Sequence, residues 1–385
     1  MRSPLSLIPH PDSFTSRLRG PEIASRVGLW LGISFLLAFV TGLISHAAQD
    51  MPGWLTFPTR PVSFYRITQG VHVISGTAAV PLLLVKLWSV FPKLFDRFTF
   101  GDVRRLALQL AERLSIALLV SAAIFQLVTG LANSAQWYPW SFSFRSTHYA
   151  VAWIAIGALI VHIAVKLPGI RRALSGPLDD DLARTSEQGP SRRGFLRTTW
   201  VATGVAVLTT AGATVPWLRQ VSIFGVRSGD GPAGIPINVS AVAARVIPAA
   251  TNPAYALEVR NGGKQVTLTR ADLEAMEQTT AELPIACVEG WSASGEWRGV
   301  RVRDLLALVD AAEDADVEVT SLQMQGAFRQ TTLPANFAQD PLTLLALELN
   351  GEGLSLDHGH PCRLIAPNRP GVLQTKWVKR MEVLA

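Results

Sequence analysis

The sequence is short of cysteines and of charged residues, and each shortage excludes a class of protein. Only two of the 385 residues are cysteines, Cys287 and Cys362, so neither a disulfide scaffold nor a metal site of four thiolates can form. Charged residues make up 17% of the chain, against about a quarter in a typical soluble domain. An ordinary cytosolic enzyme is therefore not expected.

Positive charge is concentrated in one half of the chain. Residues 1–218 hold 20 Lys and Arg against 10 Asp and Glu, whereas residues 219–385 hold 15 against 19. A nucleic-acid-binding protein would combine basic and aromatic residues in a patch outside its apolar runs. The first half has no such patch, so nucleic acid is not an expected partner.

Five apolar stretches account for the hydrophobic composition, and each has the roughly 20 residues that a helix needs to cross a bilayer. They are Val27–Ala47, Gly70–Phe91, Leu114–Ala135, His148–Leu167 and Thr199–Leu218. Around the first four, 17 Lys and Arg fall on one side and 3 on the other. Because basic loops remain in the cytoplasm, the sequence predicts a multi-pass protein of the bacterial inner membrane. Its N-terminus is expected in the cytoplasm and everything after about residue 219 outside it.

The fifth stretch differs from the others in what precedes it. It follows Ser191-Arg192-Arg193-Gly194-Phe195-Leu196-Arg197 and is diluted by Thr, Gly and Ala. A twin arginine before a mildly apolar run resembles a Tat signal, which exports folded domains, whereas the plainer interpretation is a basic cytoplasmic flank. We expect the Tat machinery as a partner and an uncut anchor helix. The predicted domain ranges are 1–175 for four helices, 176–232 for loop, signal, fifth helix and linker, and 233–385 for the exported domain.

Four histidines lie within or at the ends of the apolar stretches: His46, His72, His148 and His162. An imidazole in lipid is costly, which makes each a candidate ligand, although an interhelical hydrogen bond is the plainer role for any single one. His148 and His162 are 14 residues apart. That spacing returns them to one helix face about 21 Å apart.

This arrangement resembles the four-helix cytochrome b subunits of formate dehydrogenases and related enzymes, over about residues 20–175. The resemblance implies haem b with two histidine ligands. His72 and His148 begin their helices on the same side and are the expected pair for an outer haem. The family's partner for His162 would fall within 26–30, which holds no histidine. One haem is expected and a second is left open, with His46 as an alternative outer ligand or a propionate contact.

Beyond about residue 233, short strand-like runs alternate with helical pieces, which predicts one α+β domain. The strand-like runs are Ala256–Arg260, Gln265–Thr269, Pro284–Val288, Val317–Gln323 and Cys362–Ala366, and the helical pieces are Arg270–Glu277 and Arg303–Val309. Asn261-Gly262-Gly263 lies between the first two runs. Such a sequence predicts a hairpin turn.

Two blocks of this domain hold residues suited to a metal cofactor. The first runs from Ala286 to Ser292, and the second from Leu345 to Trp377. Together they closely resemble the molybdopterin-binding domain of the sulfite oxidase family, which includes periplasmic methionine sulfoxide reductases, over about residues 250–385. The resemblance implies a molybdopterin whose molybdenum is bound by the thiolate of Cys287, a soft ligand suited to a high-valent metal. It also implies a set of pterin-binding residues: His358, Arg363, Gly371, Lys376 and Trp377.

The expected protein is a two-part, membrane-bound molybdenum oxidoreductase. It would pass electrons between the membrane quinone pool, haem b and a molybdopterin site, and reduce a small oxo- or sulfoxide-type substrate. Sulfite is not the expected substrate, because 234–239 lacks the Arg-Asn-His motif of sulfite oxidases. Two alternatives remain open at this point. One is a dehydrogenase that delivers electrons to quinone, and the other is a non-catalytic electron carrier or binding module.

Overall fold

The computed structural model describes residues 14, 16–96, 98, 100–178, 191–225 and 231–384. Its contacts divide the chain into two compact units. The helical unit comprises Met1–Gly42 and Val71–Thr210, and the mixed unit comprises Leu43–Gly70 and Ala211–Ala385. Most of the predicted cytoplasmic loop (179–190) and the middle of the predicted linker (226–230) lie outside the described residues.

The described part of the chain before residue 211 contains five long helices. They are α1 (Pro21–Gln49), α2 (Phe64–Val90), α3 (Val103–Ser134), α4 (Phe144–Ser175) and α5 (Arg192–Thr210). Local sequence explains two of their ends. Pro21 occupies the first turn of α1, where its missing N–H costs nothing. The Asp102 carboxylate caps α3 by accepting from the backbone N–H groups of Arg104 and Arg105.

Four of the described helices are long and apolar enough to cross a membrane: Pro21–Gln49, Phe64–Phe95, Val103–Ser134 and Phe144–Ser175. Their solvent-accessible faces are apolar as well, with Leu84, Leu114 and Val165 each more than half exposed. Helices that are apolar all round are typical of membrane spans. The first four predicted spans are thus confirmed as helices of the length and composition that a membrane protein requires.

The predicted bounds of the fifth span are wrong. We expected Thr199–Leu218, whereas α5 begins at Arg192 and ends at Thr210. Its first two turns contain three arginines, and α5 is not among the four described helices that are long and apolar enough to cross a membrane. Beyond Thr210 the chain changes to 3-10 turns at Ala211–Ala213 and Pro216–Val221. These turns pack so closely that a Cβ on Gly212 would lie 2.6 Å from the Cβ of Ser222.

One arginine of the helical unit links two of its helices. The Arg26 guanidinium donates to the carbonyl oxygens of Ala173 at 3.0 Å and Gly176 at 3.2 Å. These carbonyls lie at the end of α4, where the helix leaves its last acceptors without partners. Arg26 therefore ties the start of α1 to the end of α4.

Within its described residues, the mixed unit contains two five-stranded sheets. The first has the order β2-β1-β10-β5-β6, with β1 Ala256–Asn261, β2 Lys264–Thr269, β5 Val317–Ser321, β6 Gln330–Leu333 and β10 Val378–Val383. The second has the order β3-β4-β7-β8, and β9 also pairs with β7. Its strands are β3 Thr279–Ala286, β4 Ser292–Arg301, β7 Leu344–Leu349, β8 Glu352–Gly353 and β9 Arg363–Ile365. The expectation of a mixed domain with sheets is confirmed.

The described residues of the mixed unit also form four short α-helices: α6 (Ile247–Ala250), α7 (Arg270–Ala275), α8 (Val302–Ala307) and α9 (Ala335–Ala338). Both predicted helical pieces are present, as α7 and α8. The predicted hairpin turn is present too, since Asn261 pairs with Lys264 and Gly262 adopts a φ of 53°. A positive φ at this position is the conformation that glycine adopts at low cost.

Residues 43–70 were not expected to belong with the C-terminal half. They comprise the last turns of α1, the first turns of α2 and the loop between them, and their contacts place them in the mixed unit. Ala48, Phe57 and Tyr65 join the same hydrophobic core as the strands of the first sheet. The sequence holds no local signal for this packing.

Candidate functional site

Cys287 occupies the loop of a β-hairpin. Strands β3 and β4 pair from Thr279–Gly299 to Ala286–Ser292, which leaves residues 287–291 as the connecting turn. The Cys287 N–H donates to the Trp291 carbonyl at 2.9 Å, and the Gly290 N–H donates to the Cys287 carbonyl at 3.0 Å. Gly290 has a φ of 91°, a conformation that side chains disfavour. The sulfur of Cys287 is therefore held at the end of a strand.

One pocket brings together Cys287 and four of the five predicted pterin-binding residues: His358, Arg363, Gly371 and Lys376. The space between the lining atoms amounts to about 270 Å³, open solvent included. Its polar wall is cationic or neutral, and the sulfur of Cys287 lies at one side. A pocket of this composition is suited to an anionic ligand.

Arg363 is a buried cation whose hydrogen-bond acceptors are backbone carbonyls. Its guanidinium donates to the carbonyl oxygens of His358 at 3.2 Å and Gln374 at 3.3 Å. Its Nε is buried and has no hydrogen-bond partner. Burial lowers the pKa of Arg363 to about 9. A charge buried in this way is expensive unless an anion accompanies it, and the unused Nε–H can donate to that anion.

Lys376 supplies the second cation of the pocket. Its ammonium donates to the carbonyl oxygens of Val239 and Asp357. Burial, and after it the charge of Arg363, lowers the pKa of Lys376 to about 7. Two buried cations in one cavity, of which Arg363 lowers the pKa of Lys376, create a site of positive potential. A phosphate between them would relieve both penalties.

His358 contributes a neutral imidazole. Its Nε2–H donates to the carbonyl oxygens of Pro232 at 2.8 Å and Ile235 at 3.1 Å. Because carbonyl oxygens only accept hydrogen bonds, Nδ1 keeps its lone pair. Burial, followed by the charge of Arg363, lowers the pKa of His358 to about 4. The ring is therefore uncharged at neutral pH and offers an acceptor.

Two glycines allow this close packing. A Cβ on Gly359, which has a φ of 109°, would lie 3.1 Å from the Cβ atoms of both Arg363 and Lys376. A Cβ on Gly371 would lie 3.0 Å from Cγ2 of Ile285 and 3.1 Å from the Ala286 carbonyl oxygen. Gly359 thus lets the two cations converge, and Gly371 lets its turn approach the end of β3.

Trp377 does not line the pocket. Its ring is 1% exposed, and its Nε1–H donates to the Leu356 carbonyl at 2.7 Å. The Lys376 ammonium lies 4.5 Å from the ring centroid. Trp377 therefore supports the Lys376 segment from behind, and a direct contact between Trp377 and a pterin remains a prediction.

Five residues of the lining are not among the predicted site residues: Pro236, Ile237, Asn238, Ile285 and Trp291. The first three belong to a segment that we considered only as the place of a missing motif. His358 holds this segment by its two hydrogen bonds to Pro232 and Ile235. A contact across more than 120 residues leaves no trace in local sequence.

The second cysteine has a different environment. Cys362 is fully buried, and its sulfur lies 3.1 Å from the Tyr255 hydroxyl. Burial raises the pKa of the Cys362 thiol to about 12. A thiol with such a pKa stays protonated at neutral pH and is a poor metal ligand.

In the helical unit, His72 and His148 face each other with ring centroids 6.4 Å apart. The Nδ1–H of His72 donates to the Ala38 carbonyl at 2.8 Å, and Nδ1 of His148 lies 3.1 Å from the Thr129 hydroxyl. The Thr129 hydroxyl donates to the Phe125 carbonyl, so it accepts from His148. Both rings therefore keep Nε2 as an acceptor, which is the tautomer of metal-ligating histidines.

The ring spacing also suits a shared metal ion. Two metal–nitrogen bonds of about 2 Å, with about 1.1 Å from each nitrogen to its ring centroid, give about 6.2 Å between centroids. The observed separation of 6.4 Å is close to this value. Glycines lie next to both rings, since a Cβ on Gly42 would be 3.1 Å from Cε1 of His72 and one on Gly130 would be 3.7 Å from Cε1 of His148.

His162 and His46 have other surroundings. The groups that act electrostatically on His162 are Lys86, Lys166, Glu112 and Lys93. His46 is half-buried in the last turn of α1. A second haem at His162, and the role of His46, stay predictions.

Comparison with known proteins agrees with the pocket. Residues 244–385 match the family described as the oxidoreductase molybdopterin binding domain. This part of the chain is a molybdopterin-binding oxidoreductase domain. All the predicted cofactor residues from Cys287 to Trp377 lie within it, whereas the pocket residues Pro236, Ile237 and Asn238 precede the matched segment.

Individual relatives match only part of the chain. Mitochondrial sulfite oxidase of Drosophila melanogaster is 31% identical over 159 residues, which cover 34% of this chain and 27% of that protein. YedZ1 of Azospira oryzae, named for a protein-methionine-sulfoxide reductase subunit, is 31% identical over 115 residues, which cover 30% of this chain and 43% of that protein. The chain thus spans about a quarter of the length of the sulfite oxidase and less than half of the length of YedZ1.

Among solved structures, the sulfane dehydrogenase SoxCD of Paracoccus pantotrophus is similar to part of the chain. The match has 25% sequence identity and a TM-score of 0.31, and it covers 34% of this chain and 38% of that one.

Proposed function

We propose that the chain is a membrane-bound, molybdenum-dependent oxidoreductase. It passes electrons between the quinone pool, a haem b in the helical unit and the molybdopterin domain, and it reduces a small oxo- or sulfoxide-type substrate. The observation that carries the proposal is the pocket in which two buried cations, a neutral imidazole and a thiol converge. The relative named for methionine sulfoxide reductase supports the choice of substrate class.

The residues of the pocket fit a pterin with an anionic phosphate and one open metal position. Arg363, with its unused Nε–H, and Lys376 would hold the phosphate, and Nδ1 of His358 would accept from the pterin ring. Cys287 would give the metal its single protein ligand. The molybdenum cofactor supplies two-electron transfer coupled to oxygen-atom exchange. The chain's part is to orient that group and to neutralise its charge in a largely buried site.

His72 and His148 would be the two axial ligands of the haem. Their Nδ1 atoms are engaged by Ala38 and Thr129, which leaves Nε2 of each ring to bind iron. Membrane quinone and haem together would connect the molybdopterin domain with the respiratory electron pool. Transfer in the opposite direction, from substrate to quinone, is the alternative enzyme function that a substrate screen would decide.

The packing of the mixed unit supports the proposed number of membrane crossings. Residues 43–70 pack in one core with residues after 211, so both must lie on the same side of the membrane. Helices α2, α3 and α4 provide three crossings between them, an odd number. A fourth crossing by α5 is required to return the chain to that side. We therefore retain α5 as an anchor, led by the twin arginines of a Tat-type signal, with the mixed unit outside the cytoplasm of a bacterium.

Metal analysis of the full chain tests the proposal. Protein expressed with molybdate should contain about one molybdenum per chain, and Cys287→Ala should lose most of it. Cys362→Ala is the matched control, because that thiol is buried away from the pocket lining. Wild-type protein without molybdenum but with a normal haem spectrum would refute the enzyme and favour a non-catalytic electron carrier.

A further inference from the structure

We propose that segment 43–70 positions the Cys287 turn (residues 287–291), with Gln69 and Asn368 as the positioning residues. The segment belongs to the first two apolar helices and their loop, but its contacts group it with residues 211–385, which include the molybdopterin domain. The inference rests on the proposed function only in taking Cys287 as the metal ligand.

The segment is fastened to the domain by directed polar contacts. The Arg60 guanidinium forms a two-pronged ion pair with Asp340, at 2.8 and 3.0 Å. The Asn336 side chain donates to the Phe57 carbonyl at 2.9 Å. Such fork-to-fork and amide-to-carbonyl contacts determine register as well as affinity. The loop is therefore held in one defined arrangement.

Asn368 provides two further contacts between the segment and the domain. Its side-chain oxygen accepts from the Tyr65 N–H at 2.6 Å, and its side-chain nitrogen donates to the Pro58 carbonyl at 2.7 Å. The residue is 2% exposed and has a φ of 54°. Asparagine is among the few residues that tolerate this conformation. Both ends of one buried amide are thus used to hold the membrane-proximal segment.

From Asn368 the connection to Cys287 is short. Pro370 forms a parallel β-bridge with Ala286, the residue before Cys287. The next residue, Gly371, lies so close that a Cβ on it would be 3.1 Å from the Ala286 carbonyl oxygen. A shift of the 368–371 strip would therefore move the end of β3 and the base of the turn. In close-packed interiors such displacements are transmitted and not absorbed.

Gln69 approaches the turn from a second direction. Its side-chain nitrogen lies 3.5 Å from the Val288 carbonyl oxygen, and its side-chain oxygen accepts from the Ser45 hydroxyl at 3.0 Å. The same Ser45 hydroxyl lies 3.1 Å from that of Tyr65. Gln69 therefore joins a buried polar cluster between α1 and α2 to the residue that follows Cys287.

The two contacts fall on the residues immediately before and after Cys287. The Asn368 strip bears on Ala286, and Gln69 bears on Val288. Hydrogen bonds within the turn join Cys287 with Gly290 and Trp291, and Trp291 with Glu289; bonds within a turn set its shape but not its position relative to the pocket walls. Position is instead determined by the neighbours on either side. This makes the α1–α2 segment part of the metal-ligand scaffold.

The test measures the alkylation of Cys287 by N-ethylmaleimide in the full chain, purified without molybdenum cofactor. Cys287 is 1% exposed, so its alkylation reports opening of the turn. We expect Gln69→Leu and Asn368→Gly to raise the alkylation rate of Cys287 by about tenfold or more, the effect of one or two lost hydrogen bonds on a local opening equilibrium. Glycine is chosen at 368 because it accepts the positive φ without strain.

Two matched variants separate positioning from general loosening. Gln49→Leu removes an amide that donates to the carbonyl and hydroxyl oxygens of the same Ser45, each at 3.1 Å. Asn336→Ala removes the anchor at Phe57 but leaves the Arg60–Asp340 ion pair and both Asn368 hydrogen bonds to hold the loop. Both should leave the alkylation rate of Cys287 within about twofold of wild type. Mass spectrometry of separate peptides follows Cys362 in the same samples as a gauge of folding.

The proposal is overturned if Cys287 reacts at the wild-type rate in Gln69→Leu and Asn368→Gly. It is overturned equally if the two control variants accelerate the reaction as much, or if Cys362 accelerates in parallel. Asn368→Asp, which keeps the acceptor for Tyr65 but loses the donor to Pro58, should give an intermediate rate. Because these rates need no metal, they stay informative even if the molybdenum analysis fails.

A spectroscopic readout extends the test to loaded protein. After partial reduction with dithionite, the molybdenum EPR spectrum of Gln69→Leu should differ from that of wild type, because the ligand sulfur has moved. The spectrum of Gln49→Leu should be unchanged. Identical spectra in wild type and Gln69→Leu would count against the proposal.

Discussion

Replacing Arg363 by methionine should stabilise the cofactor-free chain while abolishing its capacity to bind the cofactor. Arg363 is fully buried, and its acceptors are the carbonyl oxygens of His358 and Gln374. If the charge is present to bind an anion, the anion-free protein must bear its cost. Methionine is similar in length, flexible and uncharged.

The magnitude follows from the burial of the charge. A pKa of about 9 in place of the ordinary 12.5 corresponds to about 5 kcal/mol against the charged form, at about 1.36 kcal/mol per unit. Loss of two hydrogen bonds to carbonyls costs about 1.5 kcal/mol each. The variant should therefore gain about 2 kcal/mol, within the range of about 1–4 kcal/mol known for apolar replacement of buried charges.

Native-state hydrogen exchange of the full chain in detergent provides the assay. The free energy of opening would be measured at amides of β3, β7 and β9 in cofactor-free protein. Inorganic phosphate should raise that free energy in wild type, because a ligand that binds the folded state stabilises it, and should have no effect in Arg363→Met.

Arg369→Met is the matched control. Arg369 is as buried as Arg363, and its pKa is also lowered to about 9 by burial. Its guanidinium donates to the carbonyls of Leu373 and Thr332 and does not line the pocket. The effect of phosphate should therefore persist in Arg369→Met. A loss of more than about 2 kcal/mol in cofactor-free Arg363→Met would refute the argument, since the chain itself would then already compensate the charge.

Three further predictions concern charge, haem and topology. The pKa of Lys376 is lowered from 10.5 to about 7, so between these pH values the ammonium is protonated in the unfolded chain and mostly neutral in the folded one. The free energy of unfolding of cofactor-free protein should therefore rise from pH 7 towards 10.5, by up to about 1.4 kcal/mol per pH unit. Denaturant titrations at pH 7 and pH 9 measure this difference. If the free energy of unfolding of Lys376→Met rises with pH as steeply as that of wild type, the prediction is contradicted. His72→Ala and His148→Ala should each remove the haem Soret band, whereas His162→Ala should retain at least half of it; full retention in His148→Ala would exclude that ligand. A reporter enzyme that is active only outside the cytoplasm should be active when fused after Ala385, and Arg192→Lys with Arg193→Lys should abolish that activity. An inactive fusion to the wild-type chain would contradict the fourth crossing.

Local features of the sequence were sufficient for the gross layout. Hydropathy along about 20 residues determines whether a helix can cross a membrane, and the first four spans are helices of that type. Alternation and turn residues likewise indicated the β1–β2 hairpin at Asn261-Gly262-Gly263. The resemblance of the two blocks around Cys287 and His358 selected residues that the structure brings into one pocket.

The limits of α5 could not be found in this way. Hydropathy alone placed its start at Thr199, but the backbone becomes helical at Arg192 and leaves the helix after Thr210. Side-chain polarity does not prevent arginines from entering a helix, for which they have good propensity. The close approach of Gly212 to Ser222, which accompanies the 3-10 turns, depends on chain packing beyond the helix.

By itself, the sequence determined which residues can cross a membrane and which thiol and cations could serve a molybdopterin. Only the tertiary structure decided that Pro236, Ile237 and Asn238 line the pocket. It also decided that Trp377 lies behind the pocket and that Asn368 forms hydrogen bonds with the segment after α1. Apolar runs and turn motifs act over a few residues and can be recognised locally. The contacts of Asn368 with Pro58 and Tyr65 span about 300 residues, and they exist only because folding brings the loop between two apolar helices into one core with the C-terminal domain.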